Sequence, residues 1–216
     1  MQKGSTRRFE QDHARALGLG FFDRDPARVA PDLLGCVLAS TAGDVLTAGV
    51  IVETEAYLGA ADPGSHAATK GMTRRNAVMY GPPGTVYVYF TYGNHHMINL
   101  VCEREGVAGA VLIRALEPVA GIESMSARRG GRALAELCSG PGKCAQALGV
   151  DLSDNGSPLG SGHLQVYDDG RCVRNDIRTT GRVGLSSGHE MLLRFYVQGS
   201  TFVSRGRMGQ IGRAHV

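Results

Sequence analysis

The sequence predicts an α+β fold, a single domain with a curved antiparallel β-sheet core and surrounding helices. Apolar residues recur at helical spacing over 118–127 and 132–148, and a further helix is expected from Pro26, with Asp25 as its N-cap, to Gly35. The chain contains 31 glycines, which suits a turn-rich antiparallel sheet. Segments with the apolar patterns of strands are 36–41, 45–56, 85–92, 97–102, 107–116, 164–167 and 192–198.

Polar segments separate these elements. The longest, 58–84, is rich in glycine, proline and charge, and we expect a short helix near 73–80 within it. Segments 151–162 and 169–191 are expected to be loops. The expected organisation is an N-terminal segment, one folded domain and a flexible tail, at 1–20, 21–204 and 205–216.

Composition restricts the class of protein. The chain of 216 residues carries a formal net charge of +3, a small basic excess that by itself identifies no partner. Its five cysteines form no CxxC motif, which favours reduced thiols in a cytoplasmic protein. No stretch reaches the roughly 18 apolar residues of a membrane span. His95 and His96 lack further ligands at metal-binding spacing, so no metal is expected.

Two carboxylates end the apolar run 50–52. In a strand, Glu53, Glu55 and Tyr57 share one face. One interpretation is a pair of solvated carboxylates on an exposed face. The other is a wall of an active site, where one glutamate acts as a general base.

A tyrosine-rich strand follows. Alternation places Tyr87 and Tyr89 on one face and Tyr92 on the other, with the turn residues Gly93 and Asn94 directly after it. Tyr92 is therefore either an ordinary surface residue or a wedge that inserts between base pairs. Acidic residues beside an aromatic surface are typical of enzymes that stack a nucleobase and break a bond to it.

Two basic residues have alternative roles. Arg114 lies within an apolar strand and must be paired if it is buried, either in a structural pair with Glu117 or another acid, or with the site carboxylate. Lys143 lies in Cys-Ser-Gly-Pro-Gly-Lys at 138–143, which opens a helix and can hold a phosphate through backbone N–H groups. This motif is not a P-loop, because Cys144 stands where Ser or Thr is needed.

These motifs together resemble the 3-methyladenine DNA glycosylases of the alkyladenine (methylpurine) type. The resemblance runs from about Phe21 to Ser204. It is carried by DLLG at 32–35, VETEAYLG at 52–59, RRNAVMYGPPG at 74–84, YVYFTYG at 87–93, Asn99, LIRALEP at 112–118, CSGPGK at 138–143, and RVG and RFYVQGS near the C-terminus.

The resemblance implies a role for each matching residue. Glu55 is the catalytic base that activates water, and Arg114 is its partner. Tyr57, His66, Tyr89 and Asn99 line the pocket for the flipped base, where Tyr57 stacks on the base and Asn99 excludes ordinary guanine. Tyr92 is the DNA wedge. The residues expected to contact the DNA backbone are Lys143, Gly140, Gly142, Arg74 and Arg75.

The implied reaction is that of a monofunctional glycosylase of base excision repair. It flips alkylated or deaminated purines out of duplex DNA and hydrolyses the N-glycosidic bond to leave an abasic site, with no cofactor. We expect a monomer, cytoplasmic and associated with the nucleoid. A damage-binding module without turnover and a hydrolase of RNA or free nucleosides remain as alternatives. Among 3-methyladenine, 7-methylguanine, hypoxanthine and ethenoadenine, the sequence ranks none first.

Overall fold

The computed structural model of the protein describes Phe9, residues 11–91, Gly93, residues 95–170 and residues 176–204, apart from the side chains of Thr69 and Lys70. The wedge predicted at Tyr92, the segment before Phe9 and the tail predicted at 205–216 lie outside these described residues.

The described strands form one antiparallel sheet, which curls into a half-barrel. They are β1 (Arg15–Ala16), β2 (Val37–Ser40), β3 (Thr47–Tyr57), β4 (Val86–Thr91), β5 (His95–Val101), β6 (Ala110–Ala120), β7 (Leu164–Asp168), β8 (Ile177–Thr180) and β9 (Arg194–Val197). Their order is β1-β7-β2-β3-β6-β5-β4, while β9 pairs with both β3 and β8. The α+β fold with an antiparallel sheet is therefore confirmed.

Five α-helices accompany the sheet among the described residues. They are α1 (Pro26–Asp32), α2 (His66–Lys70), α3 (Ile122–Arg128), α4 (Leu134–Leu137) and α5 (Pro141–Leu148). The predicted cap of α1 is confirmed, because the Asp25 side chain accepts a hydrogen bond from the Ala27 N–H at 2.7 Å. This helix ends at Asp32, three residues before the expected Gly35, and Pro31 lies in its last turn.

The central strand β3 changes partner partway along one edge. Its beginning pairs with β2, from Thr47 to Val50, and its end pairs with β9, from Glu53 to Glu55. The opposite edge pairs with β6, with register shifts around Glu53. The sheet therefore forks at Glu53, and the end of β3 is enclosed by strands distant in sequence.

Apolar residues cover both faces of the sheet at its centre. Ile51 belongs to the larger core, together with residues of α1 and α5, whereas Val50 and Val52 belong to a second core on the other face. Burial of both faces accounts for the continuous apolar run at 50–52.

Two helix predictions need correction. Residues 118–120 are not helical, because β6 continues to Ala120, and Gly121, which follows it, has a φ of +65°. A side chain at Gly121 would lie 2.2 Å from the Leu46 carbonyl oxygen, so the chain turns there and α3 follows.

The predicted helix 132–148 is two helices, α4 and α5. Pro141 begins α5, and it has no N–H with which to continue a preceding helix. In the polar segment 58–84, residues 77–80 form a short 3₁₀-helix. The helix α2, which lies before it in the same segment, was not predicted from the sequence. The predicted loop 169–191 also contains β8.

Candidate active site

Glu55 lies at the centre of the candidate site, on the buried end of β3. Its side chain is 0% exposed. Oε2 accepts hydrogen bonds from the Tyr57 hydroxyl at 2.9 Å and from Arg114 Nη1 at 3.2 Å, and Oε1 accepts one from the Val183 N–H at 2.8 Å. Three donors from separate segments therefore fix the carboxylate in one orientation.

Glu53 is the second buried carboxylate, and it organises the basic side chains. Oε1 accepts from Arg114 Nε at 3.0 Å, from Arg194 Nε at 2.7 Å and from Ser204 Oγ at 2.8 Å, while Oε2 accepts from the Ser204 N–H at 2.7 Å. Two carboxylates and two guanidiniums thus balance in charge. Neither glutamate is solvated, so the interpretation as an exposed carboxylate face is wrong.

Arg114 joins the two glutamates. Burial lowers the pKa of Arg114, but the Glu55 and Glu53 carboxylates raise it by a larger amount. The net shift of the pKa is therefore upward, and the guanidinium stays charged. The partner is therefore the pair of site carboxylates rather than Glu117. Both the buried position on β6 and the double pairing show that Arg114 holds the two carboxylates in place.

Tyr57 forms the boundary between this charged cluster and a small cavity. Burial and the adjacent Glu55 carboxylate raise the pKa of its hydroxyl well above the ordinary value, so the hydroxyl remains a hydrogen-bond donor. The Arg182 guanidinium carbon lies 4.8 Å from the centroid of the Tyr57 ring. The ring is thus held at its edge by Glu55 and on one face by Arg182.

The cavity beside Tyr57 has a volume of about 60 Å³. Its aromatic walls are in contact, since the Tyr89 ring centroid lies 4.7 Å from that of His66 and 5.4 Å from that of Tyr87. The lining residues are Tyr57, Gly64, His66, Met79, Tyr87, Tyr89, Asn99 and Leu185. All four predicted pocket residues are therefore brought together, and Tyr87 joins them through the strand face that it shares with Tyr89.

His66 reaches the cavity from the first turn of α2. Ser65 caps this helix by accepting from the Ala67 N–H at 3.3 Å, and the Asn76 side chain donates to the His66 carbonyl at 3.0 Å. Burial and the nearby Arg75 charge lower the pKa of His66, so the ring is neutral at pH 7. Its Nδ1 lies 3.2 Å from the Tyr87 hydroxyl oxygen.

Asn99 closes the cavity from β5. Its side-chain Nδ2 donates to the Tyr87 carbonyl oxygen at 3.1 Å, across the β4–β5 pairing. This bond directs the Asn99 amide along the wall that Tyr87 and Tyr89 form.

The predicted DNA-contact residues lie in two regions. Lys143, with Gly140, borders a groove of about 630 Å³ that also reaches Arg114 and Val183, and its Nζ donates to Ser139 Oγ at 3.0 Å. Gly142 packs against His95. Arg74 and Arg75 are exposed on the turn after α2, where Arg75 Nη2 donates to the Phe90 carbonyl oxygen at 3.1 Å.

Sequence reasoning missed a second buried ion pair, between Asp62 and Arg182. Both side chains are 0% exposed, and the two guanidinium Nη atoms donate to the two carboxylate oxygens at 2.5 Å each. Single charged residues within predicted loops gave no signal for this pair. Arg194, although it lies within the predicted strand 192–198, and Ser204 were also missed, because their approach to Glu53 has no local signal in the sequence.

Within the described part of the chain, no three His, Cys, Asp or Glu side chains are grouped so that they could hold a metal ion. None of the helices described is long and apolar enough to cross a membrane.

An α+β fold that places a buried glutamate–arginine pair beside an aromatic cavity has the features of a DNA glycosylase, a hydrolase of N-glycosyl bonds. The family model for methylpurine-DNA glycosylase (MPG) matches residues 20–201. The chain therefore belongs to the methylpurine-DNA glycosylase family, which confirms the predicted resemblance, the enzyme class and the place in repair of alkylated purines.

Curated relatives cover almost the same length. A protein of Methanoculleus marisnigri, named as a candidate 3-methyladenine DNA glycosylase, is 48% identical over 88% of this chain and 98% of its own. Proteins named in the same way from Koribacter versatilis and Carboxydothermus hydrogenoformans are each 47% identical, over 87% and 86% of this chain and 92% and 96% of their own.

Proposed function

We propose that this protein removes alkylated purines, including 3-methyladenine, from duplex DNA by hydrolysing the N-glycosidic bond, which leaves an abasic site. The observation that carries the proposal is the position of Glu55. Its carboxylate is buried and held by Arg114, Tyr57 and Val183, and it accepts from the hydroxyl of Tyr57, whose side chain lines the aromatic cavity. A binding module has no need of a charged carboxylate at that position.

In the proposed mechanism, the damaged nucleotide leaves the helical stack and its base enters the cavity. Tyr57 stacks on the base, and Tyr89 and His66 form the facing walls. Alkylated purines carry positive charge, which attracts them to aromatic faces. Asn99 crowds the 2-amino group of ordinary guanine, and Tyr92 fills the gap in the duplex. The same cavity accepts neutral deaminated purines such as hypoxanthine through stacking.

Glu55 then acts on a water molecule. As water attacks the C1′ atom of the sugar, the C1′–N bond breaks, the base leaves with the bonding electrons, and Glu55 takes the proton from water. Oε1 has a free lone pair for this proton beside the one that accepts from the Val183 N–H. The negative charge of Glu55 also stabilises the cationic sugar of the transition state.

The groove that runs from Arg114 to Lys143 is the proposed path of the DNA backbone. The groove borders Glu55's partner Arg114 at one side and the first turn of α5 at the other. Lys143 and the backbone N–H groups near Gly140 and Gly142 suit a phosphate, and Arg74 and Arg75 contact a second phosphate beside the hairpin of β4 and β5. Lys143 serves as a phosphate contact in this arrangement, so the enzyme is monofunctional and has no lyase step.

Single-turnover base release tests the proposal. The variant Glu55→Gln should release base from hypoxanthine, ethenoadenine and methylated duplexes at least about 100-fold more slowly, because general-base assistance contributes about 10²–10⁴. Lesion binding by fluorescence anisotropy should persist. Glu123→Gln is the matched control, since Glu123 is exposed on α3, beyond the end of β6 remote from Tyr57.

Either of two outcomes would contradict this assignment. Equal rates for the wild type and Glu55→Gln would remove Glu55 as the base. Tight lesion binding without base release from any substrate would leave a damage-recognition protein instead of an enzyme.

A further inference from the structure

The Asp62–Arg182 pair connects three segments that build the base cavity. Arg182 Nη1 donates to the Ala56 carbonyl oxygen at 2.9 Å, and Nη2 donates to the Gly188 carbonyl oxygen at 3.1 Å. Asp62 accepts from the N–H groups of Leu58 and Gly64 at 3.1 and 2.9 Å. The end of β3 and the loops 58–65 and 182–188 therefore meet at one buried ion pair.

Packing around the pair leaves no room for further side chains. A Cβ atom at Gly64 would lie 2.6 Å from Arg182 Nη2, and one at Gly188 would lie 2.9 Å from the same atom. Gly188 has a φ of +71°, which also favours glycine. The two loops close directly on the guanidinium, so its position relative to the cavity is fixed.

The guanidinium covers one face of Tyr57 without bordering the cavity itself. Its carbon lies 4.8 Å from the ring centroid, its side chain has no exposed surface, and Tyr57 lines the cavity whereas Arg182 does not. In the proposed function, the other face of the ring is the one on which a base stacks. A cation thus lies on one side of the stacking ring and the substrate base on the other.

Asp62 keeps this arrangement charged. Burial alone would raise the pKa of Asp62, but hydrogen bonds from Arg182 and from the Leu58 and Gly64 N–H groups outweigh it, and the net pKa is lowered. Within the pair, the positive end faces Tyr57. An aromatic ring that already faces one cation has less electron density to offer a second cation on its opposite face.

We propose that Arg182, held by Asp62, is a specificity-determining residue that weakens the preference of the Tyr57 surface for cationic purines and so admits neutral damaged purines. The inference rests on the proposed function of the cavity. When the Arg182 charge is removed, the rate of release of cationic bases should increase relative to the rate of release of neutral bases.

The test compares 7-methylguanine, which is cationic in DNA, with neutral hypoxanthine in otherwise identical duplexes. The double variant Asp62→Asn with Arg182→Met removes both charges, because one buried charge without its partner would destabilise the protein. The ratio of single-turnover rates, cationic over neutral, should rise about three- to tenfold over the wild type. Both rates come from one preparation, so a lower folded fraction cancels in the ratio.

Arg182→Lys is the conservative variant. It retains a cation beside Asp62, and its rate ratio should stay within about twofold of the wild type. An unchanged or lower ratio in the double variant would overturn the inference, as would a Lys variant that behaves like the double variant. Failure of the wild type to release either base would instead refute the proposed function.

Discussion

Glu53 offers a direct test of how the charged cluster stabilises the fold. Replacement of Glu53 by Gln retains the shape of the side chain but removes the charge that faces Arg114 and Arg194. One of the two oxygens also becomes an NH₂ donor, which then points at other donors. Glu55 would remain as the single carboxylate for two buried guanidiniums.

The size of the effect follows from the contacts of Glu53. The carboxylate accepts four hydrogen bonds of 2.7–3.0 Å, three of them at Oε1, and it is 0% exposed. Breaking a buried ion pair from one side costs about 3–5 kcal/mol. We therefore expect Glu53→Gln to lower the free energy of unfolding by about 3–5 kcal/mol. This loss is a large part of the total free energy of unfolding, which is about 5–15 kcal/mol for a whole domain.

Urea unfolding monitored by circular dichroism measures this change. The transition midpoint should fall while the m-value stays constant, since the surface exposed on unfolding is the same. Glu123→Gln, at an exposed position on α3, should change the free energy by no more than about 0.5 kcal/mol. A loss below about 1 kcal/mol for Glu53→Gln would refute the view that Glu53 is the essential counter-ion of the cluster.

Two further predictions concern pH and salt. Burial raises the pKa of Tyr87 to about 12, above its value of about 10 when unfolded, so its stabilising contribution is complete below pH 10 and is lost as the pH rises towards 12. The difference in phenolate absorbance between wild type and Tyr87→Phe should therefore titrate near 12, and a midpoint near 10 would contradict burial of the hydroxyl. For Lys143→Gln, the slope of log affinity for duplex DNA against log salt concentration should be less steep by about 1, whereas an unchanged slope would exclude a phosphate contact.

Local patterns were sufficient to predict much of the sheet. The apolar run at 50–52 predicted β3, and the period of two correctly placed Glu53, Glu55 and Tyr57 on one side of the chain, where Arg114 contacts both glutamates. The same period grouped Tyr87 with Tyr89 in the cavity wall. These predictions depend on neighbours one or two residues apart, which the sequence displays directly.

Burial of the carboxylates could not be predicted in this way. It depends on Arg194 and Ser204, which are 141 and 151 residues from Glu53 in sequence. Their approach is determined by the register of β9 on β3, a tertiary feature without a local signal. The helix predicted at residues 118–120 was wrong for a similar reason, because pairing with β3 outweighs their apparent helical pattern.

The resemblance supplied what the patterns left open. His66 had no distinguishing local context, yet it reaches the cavity because Ser65 and Asn76 hold α2 in place. Neither the local patterns nor the resemblance predicted the Asp62–Arg182 pair, since its partners are 120 residues apart.

The fork of the sheet at Glu53 has a consequence for protein synthesis. Glu53 and Glu55 leave the ribosome early, but the groups that bind them on the second edge of β3, Val183, Arg194 and Ser204, emerge more than a hundred residues later. Contacts of such long range form slowly, because a large loop must close first. A nascent chain that lacks the segment 182–204 carries both glutamates without these partners, so the charged cluster is completed late in translation, after most of the sheet has emerged.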